Sequence, residues 1–345
     1  MRGIALTSPT RLEMQSFDMP VLRGEYDVLL RILRVGICGS DIHYYKTGRI
    51  GSQIARFPQI LGHECSARVA AVGRKVSRVK VGDLVVIDPA ISCDECDQCR
   101  AGCFHICRNI RFLGVPDQMP GAMLEYLVLP QKCCYPVDWT FGADRAVLVE
   151  PLSIGYYATH VVGNLTGKEV AILGAGPIGL SVMLMAKLYS PKKVLVSDLL
   201  SDRLRVAHQI GATWTGFPDE LDKAYEIQAI AANGLDVIFE CCGEQIALDQ
   251  AVRLLKPGGT LVIIGIPESD RVSFAIHELR RKEIRLINVR RQNECIMPVI
   301  ELLKNGQVKA DFLISHRFEV NDFQTAFDTV ANYRDGVIKA LVKIE

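Results

Sequence analysis

The chain has 345 residues, enough for two ordinary domains or one large one. Hydrophobic residues make up 49% and charged residues 23%, the balance of a folded globular protein rather than a disordered or fibrous one. With 40 Lys and Arg against 39 Asp and Glu, the formal net charge is +1, which argues against nucleic-acid binding.

The opening stretch, MRGIALTSPTRLEM, holds no apolar run like the core of a secretion signal. No uninterrupted apolar stretch reaches the ~18 to 20 residues of a transmembrane helix. The expectation is a cytoplasmic chain with no membrane partner. Thiols stay reduced in that compartment. The 12 cysteines then point to metal binding or catalysis where they cluster, not to disulfides.

Taken in order, the first 150 or so residues carry short apolar runs broken by Gly, Pro and Asp. DVLLRILRVGIC (27–38), CSARVAAVG (65–73) and DLVVIDPA (83–90) are examples. This texture predicts a β-rich or barrel-like domain with functional loops. It changes near 153. KEVAILG, KKVLVSD, LDVIFECCG, GTLVIIG and IRLINV read as buried parallel strands. LSVMLMAKLY and DRLRVAHQIGA between them read as helices. The alternation predicts βαβ units in a doubly wound sheet. After about 290 come a helix in MPVIELLKNGQ, a strand in ISHRFEV, a helix in DFQTAFDTVANY and a strand in KALVKIE. The expected division is 1–152, 153–292, and a return of 293–345 to the first domain. The fold class is α/β.

Gly174-Ala175-Gly176-Pro177-Ile178-Gly179 follows one predicted strand and opens a predicted helix. Asp198 stands at the end of the next strand. A GxGxxG loop in that context is the dinucleotide fingerprint. Its glycines permit the tight turn, the approach of a pyrophosphate and close helix packing. The helix N-terminus offers free N–H groups to the phosphates. Asp198 suits a ribose diol and opposes a 2′-phosphate, so NAD is expected over NADP. Arg203 is near enough to stack on an adenine, or to bind a 2′-phosphate instead.

Cys93, Cys96, Cys99 and Cys107 form C-x2-C-x2-C-x7-C in a glycine-punctuated loop. Four thiolates at this spacing suit a closed tetrahedral zinc site. Cys103 is a fifth cysteine in the cluster, and a [4Fe–4S] group competes on cysteine count alone. A second set is dispersed: Cys38 in GICGSDIH, His63 and Glu64 in LGHE, and Glu150 in VEPL. One thiolate, one imidazole and carboxylates would leave a zinc position open for water or substrate.

These motifs, with HYYKTGRIG (43–51), EPLSIG (150–155) and SDLLSDRL, make the chain resemble the zinc-dependent medium-chain dehydrogenases, in particular the polyol (sorbitol and xylitol) group. The resemblance implies a GroES-like catalytic domain built from both chain ends around a central Rossmann domain, with the active site in the cleft between them. It implies a catalytic zinc on Cys38, His63 and Glu64, with Glu150 binding the metal directly or through its water and also touching substrate. Ser40 and His43 match a relay that carries the alcohol proton toward solvent. Tyr44 and Arg290 match substrate contacts. Ile178, Asp198, Arg203, Ile264, Gly265, Ile266, Asn288, Val289 and Arg290 match NAD contacts. The implied reaction is hydride transfer from a secondary alcohol to NAD, in a homodimer or homotetramer with two zinc ions per chain.

The sequence departs from the family pattern in three places. Ala67 stands for the usual Gly after GHE, Cys242 for the Thr of ECTG, and Arg291 for a Tyr beside the substrate. Adjacent Arg290 and Arg291 could pair with a carboxylate or phosphate through bidentate hydrogen bonds. A sugar acid or sugar phosphate is therefore the alternative substrate class. A non-catalytic NAD- and zinc-binding protein is the alternative from another class.

Overall fold

The computed structural model describes residues 1–226 and 230–345. They form two compact units, one of Met1–Glu150 with Ile296–Glu345 and one of Pro151–Cys295.

In the first unit, β1 (Arg2–Ser8) and β2 (Arg11–Ser16) form a hairpin. The long strand β3 (Asp27–Gly36) leads into helix α1 (Gly39–Thr47). Strands β4 (Glu64–Val72), β5 (Leu84–Ile87), β6 (Tyr126–Pro130) and β7 (Cys134–Val137) follow. Helix α2 (Ala143–Val162) runs across the boundary between the units.

The second unit alternates strand and helix. Its elements are β8 (Glu169–Leu173), α3 (Pro177–Lys187), β9 (Lys193–Ser197), α4 (Ser201–Gln209), β10 (Trp214–Gly216) and α5 (Pro218–Glu226). Next come β11 (Leu235–Glu240), α6 (Gln245–Leu254), β12 (Leu255–Ile263), α7 (Ile276–Lys282) and β13 (Arg285–Asn288). The chain then supplies α8 (Ile296–Lys304), β14 (Ile314–Glu319), α9 (Phe323–Ala331) and β15 (Lys339–Lys343) to the first unit.

The second unit is an all-parallel six-stranded sheet in the order β10-β9-β8-β11-β12-β13. That is the doubly wound arrangement, with its topological switch point between β8 and β11. Strands covered on both faces need apolar residues throughout. Accordingly four of five residues in β8 and five of six in β11 are buried.

The first unit is built on a seven-stranded sheet in which β3 pairs with β4, β6 and β15. The C-terminal return is fixed by apolar burial as well as by strand pairing. Phe327, Ala340 and Val342 share one core with Ile4, Leu30, Ile32 and Val35. Both chain ends are thus needed for a single core, and the mixed α/β fold expected from the strand texture is what forms.

Strand register creates the metal-binding corner. Gly36 at the end of β3 pairs with Glu64 at the start of β4, and also with Leu341 of β15. Three distant segments, around residues 38, 63 and 339, therefore meet at one sheet end. Gly36 must be a glycine there, because a Cβ would collide with the Glu64 carboxylate and come within 2.9 Å of Val147.

Candidate active site and metal centres

The ligand atoms of Cys38, His63 and Glu64 lie within 4.8 Å of one another. His63 and Glu64 are buried, and Cys38 is half-buried at the start of α1. Behind them sits Asp41, 2% exposed, which sequence reading did not assign. Its Oδ2 accepts the Cys38 N–H at 3.0 Å, and its Oδ1 accepts the Gly62 N–H at 3.0 Å. Oδ1 also lies 3.7 Å from His63 Nδ1. With Nδ1 facing a carboxylate, Nε2 is the nitrogen presented for a metal. Burial alone pulls the His63 pKa down, but the charges of Asp41 and Cys38 outweigh it and hold the ring well above its usual 6.5.

Glu64 has a partner from the other end of the chain. Lys339 Nζ donates to Glu64 Oε1 at 2.7 Å, to Oε2 at 2.6 Å and to the Ile37 carbonyl at 3.1 Å. Both side chains are almost fully buried. Glu150, on α2, is also buried but lies outside the three-residue ligand cluster. Burial and the neighbouring Glu64 carboxylate push its carboxyl up to about 7, against the pull of His63 and Lys339. The corner thus holds two carboxylates of unequal character, one ion-paired and one electrostatically penalised.

The second centre is the four-cysteine lobe. Its Sγ–Sγ separations are 4.0 Å for Cys93–Cys99, 3.5 Å for Cys96–Cys99, 3.9 Å for Cys96–Cys107 and 3.4 Å for Cys93–Cys107. Tetrahedral zinc with bonds near 2.3 Å requires edges of about 3.8 Å, so the four sulfurs fit that ion. Backbone N–H groups of Arg108 and Cys99 pull the Cys96 thiol down to about 6, and those of Glu95 and Cys96 lower Cys93. Cys103 is not in the ligand group; its sulfur faces the Ala101 carbonyl at 3.8 Å.

In the second unit, Gly176 caps α3 and Pro177 occupies its first turn. Gly174 has φ +97°, a conformation that favours glycine. A Cβ on Gly179 would collide with the Gly174 carbonyl, so the third glycine lets helix and strand touch. Asp198, just past β9, accepts the Ala175 N–H at 2.6 Å and the Leu200 N–H at 2.8 Å. Its carboxylate therefore braces the fingerprint loop, and each oxygen keeps a further lone pair. Arg203 Nη1 lies 3.8 Å from Asp198 Oδ2 and would be 3.4 Å from a Cβ on Gly176. The residues around this loop fit a dinucleotide.

Residues 24–138 match the alcohol dehydrogenase GroES-like domain family, and residues 177–305 match the zinc-binding dehydrogenase family. The chain is 31% identical to the sorbitol dehydrogenase of Bacillus subtilis, over 99% of this chain and 97% of that protein. It is 32% identical to the L-idonate 5-dehydrogenase of Vitis vinifera, over 93% and 88%. Two solved structures are also similar. A zinc-binding dehydrogenase from Sinorhizobium meliloti 1021, bound to NADP, superposes with a TM-score of 0.88 at 29% identity, covering 99% of this chain and 98% of that one. An Escherichia coli CFT073 alcohol dehydrogenase, complexed with NADH, gives 0.90 at 27%, covering 99% of both chains.

The chain belongs to the zinc-dependent medium-chain dehydrogenases. It is an oxidoreductase whose residues fit zinc and a dinucleotide.

In this medium-chain dehydrogenase, α1 begins directly after Cys38 and carries the expected relay pair. Ser40 and His43 are both half-buried and stand three apart on one helix face. Tyr44 is 3% exposed, and its hydroxyl donates to Gln53 Oε1 at 3.3 Å. The cofactor candidates Ile264, Gly265 and Ile266 follow β12, and Asn288, Val289 and Arg290 close β13. The Val289 N–H donates to the Ile263 carbonyl at 2.9 Å, so the two stretches lie side by side. Arg290 is exposed, and Arg291 is half-buried with φ +58°.

Asp41 had a readable signal, as the acidic third residue of a helix that begins directly after Cys38. Lys339 had none, since 275 positions separate it from Glu64.

Proposed function

We propose that this dehydrogenase oxidises a secondary alcohol of a polyol or related sugar-derived substrate to a ketone. The observation that carries the reading is the Cys38–His63–Glu64 corner, backed by Asp41 and adjoining the helix of Ser40 and His43. Cys38, His63 and a carboxylate would hold zinc, which would supply Lewis-acid polarisation of a hydroxyl, and a bound dinucleotide would supply the hydride acceptor. Ser40 accepts the hydroxyl proton, and His43 passes it toward solvent. Asp41 keeps the imidazole in the tautomer and orientation that a metal needs. Lys339 partly neutralises Glu64, which leaves Glu150 as the second carboxylate for metal, its water or substrate. Tyr44 lines the substrate side. The fingerprint loop and Asp198 hold the dinucleotide, with Arg203 along its adenosine end. The polyol class follows from the HYYKTGRIG continuation and from likeness to the sorbitol dehydrogenase.

The test is NADH absorbance from purified protein given NAD and a panel of polyols and sugar acids. Turnover of at least one polyol is expected. No turnover of any member, with zinc bound, would remove the reading.

A second reading is favoured by Arg290 and Arg291 together with likeness to the L-idonate 5-dehydrogenase. Here the substrate is an anionic sugar acid. Arg291→Ala then raises KM for a sugar acid at least 10-fold and leaves neutral polyols unaffected. Equal effects on both exclude it.

The quaternary reading is a homodimer or homotetramer. β13 is the outer strand of its sheet, with Leu286 and the nearby Ile276 of α7 exposed. An open edge of this kind invites pairing with a second copy. Light scattering that finds only monomer would contradict this. No described helix is long and apolar enough to cross a membrane. A cytoplasmic site of action is part of this proposal.

A further inference from the structure

β8 and β11 flank the switch point of the parallel sheet, and Glu240 is the last residue of β11. The side chain is 1% exposed and takes no part in either metal centre. Its Oε1 accepts two consecutive backbone N–H groups, from Cys242 at 2.7 Å and Gly243 at 2.6 Å. Its own carbonyl accepts two more, from Ile264 at 2.9 Å and Gly265 at 3.1 Å. One residue therefore binds both turns that leave the sheet beyond β11 and β12.

The packing around it leaves no slack. A Cβ on Gly265 would collide with the Gly243 N–H and come within 2.8 Å of Glu240 Oε2. Gly243, at φ +78°, would place a Cβ 2.5 Å from the Ile266 carbonyl. The 241–243 turn in turn touches the fingerprint. The Cys241 N–H donates to the Leu173 carbonyl at 2.8 Å, and a Cβ on Gly174 would sit 3.2 Å from the Cys242 Cβ. The fingerprint loop, the 241–243 turn and the 264–266 turn form one contiguous rim.

The second carboxylate oxygen is the unusual feature. Glu240 Oε2 is solvent-inaccessible and receives no donor. A buried acceptor without a partner normally costs stability. A residue kept at such a cost is a candidate for function rather than for folding. We propose that Glu240 is a positioning residue for the dinucleotide. Its carboxylate holds the 241–243 turn, against which the 264–266 turn packs, in the conformation that receives the cofactor, and so governs cofactor affinity. This rests on the reading of residues 151–295 as the dinucleotide-binding unit. The chemistry that would recognise this rim is a nicotinamide dinucleotide lying along the switch point.

The experiment is NADH binding by fluorescence, with thermal unfolding and zinc content measured on the same samples of whole protein. Glu240→Ala removes the acceptor of two N–H groups, and a rise of at least 10-fold in NADH Kd is expected, with zinc content unchanged. In turnover the loss appears in KM for NAD more than in kcat. Glu240→Gln is the rescue variant, because one amide oxygen can accept the same two N–H groups. It should fold and bind NADH within 3-fold of the parent. NADH binding by Glu240→Ala equal to the parent's overturns the proposal. So does Glu240→Gln weakened to the level of Glu240→Ala. If Glu240→Ala does not fold, Glu240→Gln and Glu240→Asp decide it. The shorter Asp cannot reach both N–H groups, and it must bind NADH at least 5-fold more weakly than Gln does. Failure of the parent protein to bind any dinucleotide would instead defeat the underlying reading, not the role of Glu240 within it.

Discussion

At the scale of single residues, the metal corner depends on two side chains outside the ligand set. Asp41 ties together the Cys38 N–H, the Gly62 N–H and the His63 ring with one buried carboxylate. Orienting groups of this kind typically change metal affinity 10- to 100-fold. Asp41→Ala should therefore lower the zinc content from two per chain toward one after dialysis against a mild chelator. The four-cysteine centre should stay loaded, which metal analysis reads directly. Lys339 and Glu64 make a different case. Removing one partner of a buried ion pair typically costs about 3–5 kcal/mol, because the other charge is left unpaired. Lys339→Met should show that loss in urea unfolding of the zinc-free protein. The double variant Lys339→Met with Glu64→Gln should recover most of it. Equal instability of the single and double variants would mean that packing of the lysine stem, not the charge pair, carries the effect.

At the scale of elements, three carboxylates pin strand ends and their loops in the second unit. Asp198 braces the loop after β8, Glu240 ties the turns after β11 and β12, and Asp236 anchors the start of β8. Asp236 accepts the Glu169 N–H at 2.8 Å and pairs with Lys256. Partial burial raises its pKa, but Lys256 and the Glu169 N–H outweigh that and hold the carboxyl below 3.8. A depressed carboxyl pKa stabilises the fold above the unfolded value, near pH 4. The contribution disappears as pH falls through the lower, folded value. Asp236→Asn should thus lower stability at pH 7 by about 0.5–1 kcal/mol, given the partial exposure of the pair. The difference should shrink as pH falls below the unfolded value. Unfolding curves at pH 7, 4 and 2 check both the size and the sign. A difference undiminished at pH 2 would mean that the hydrogen-bond geometry, not the charge, is what Asp236 supplies.

At the scale of the whole molecule, two metal centres of opposite character sit in one unit. One gathers four sulfurs, and the other gathers only three ligand atoms, from Cys38, His63 and Glu64. A closed site contributes folding energy outright, whereas an open site is built for exchange. Cys96→Ser should lower the unfolding temperature and the soluble yield. Cys38→Ser should abolish turnover yet leave NADH binding and the unfolding temperature near those of the parent. Calorimetry and a binding titration separate the two outcomes, and identical behaviour would dissolve the distinction between the centres. Metal analysis should find two zinc ions per chain in the parent.

Much of this molecule is legible in its amino-acid order, because the decisive signals are local. The spacing of Cys93, Cys96, Cys99 and Cys107 encodes a tetrahedral site within 15 residues of chain. The GAGPIG loop carries its own backbone requirements in its glycines. The buried strands announce the parallel sheet through unbroken apolar runs. Helix α2, which carries Glu150, was less visible, since Pro151 inside it masks the helical signal. What only the tertiary structure decided is long-range. The pairing of Gly36 with Glu64 and Leu341 brings Lys339 onto Glu64. Strand order sets β8 beside β11, which makes Glu240 a neighbour of the fingerprint loop. The physical reason is the same in both cases. Strand pairing is a contact between segments far apart along the chain, so a charge partner or a shared turn acquired through it leaves no mark at either position in the sequence.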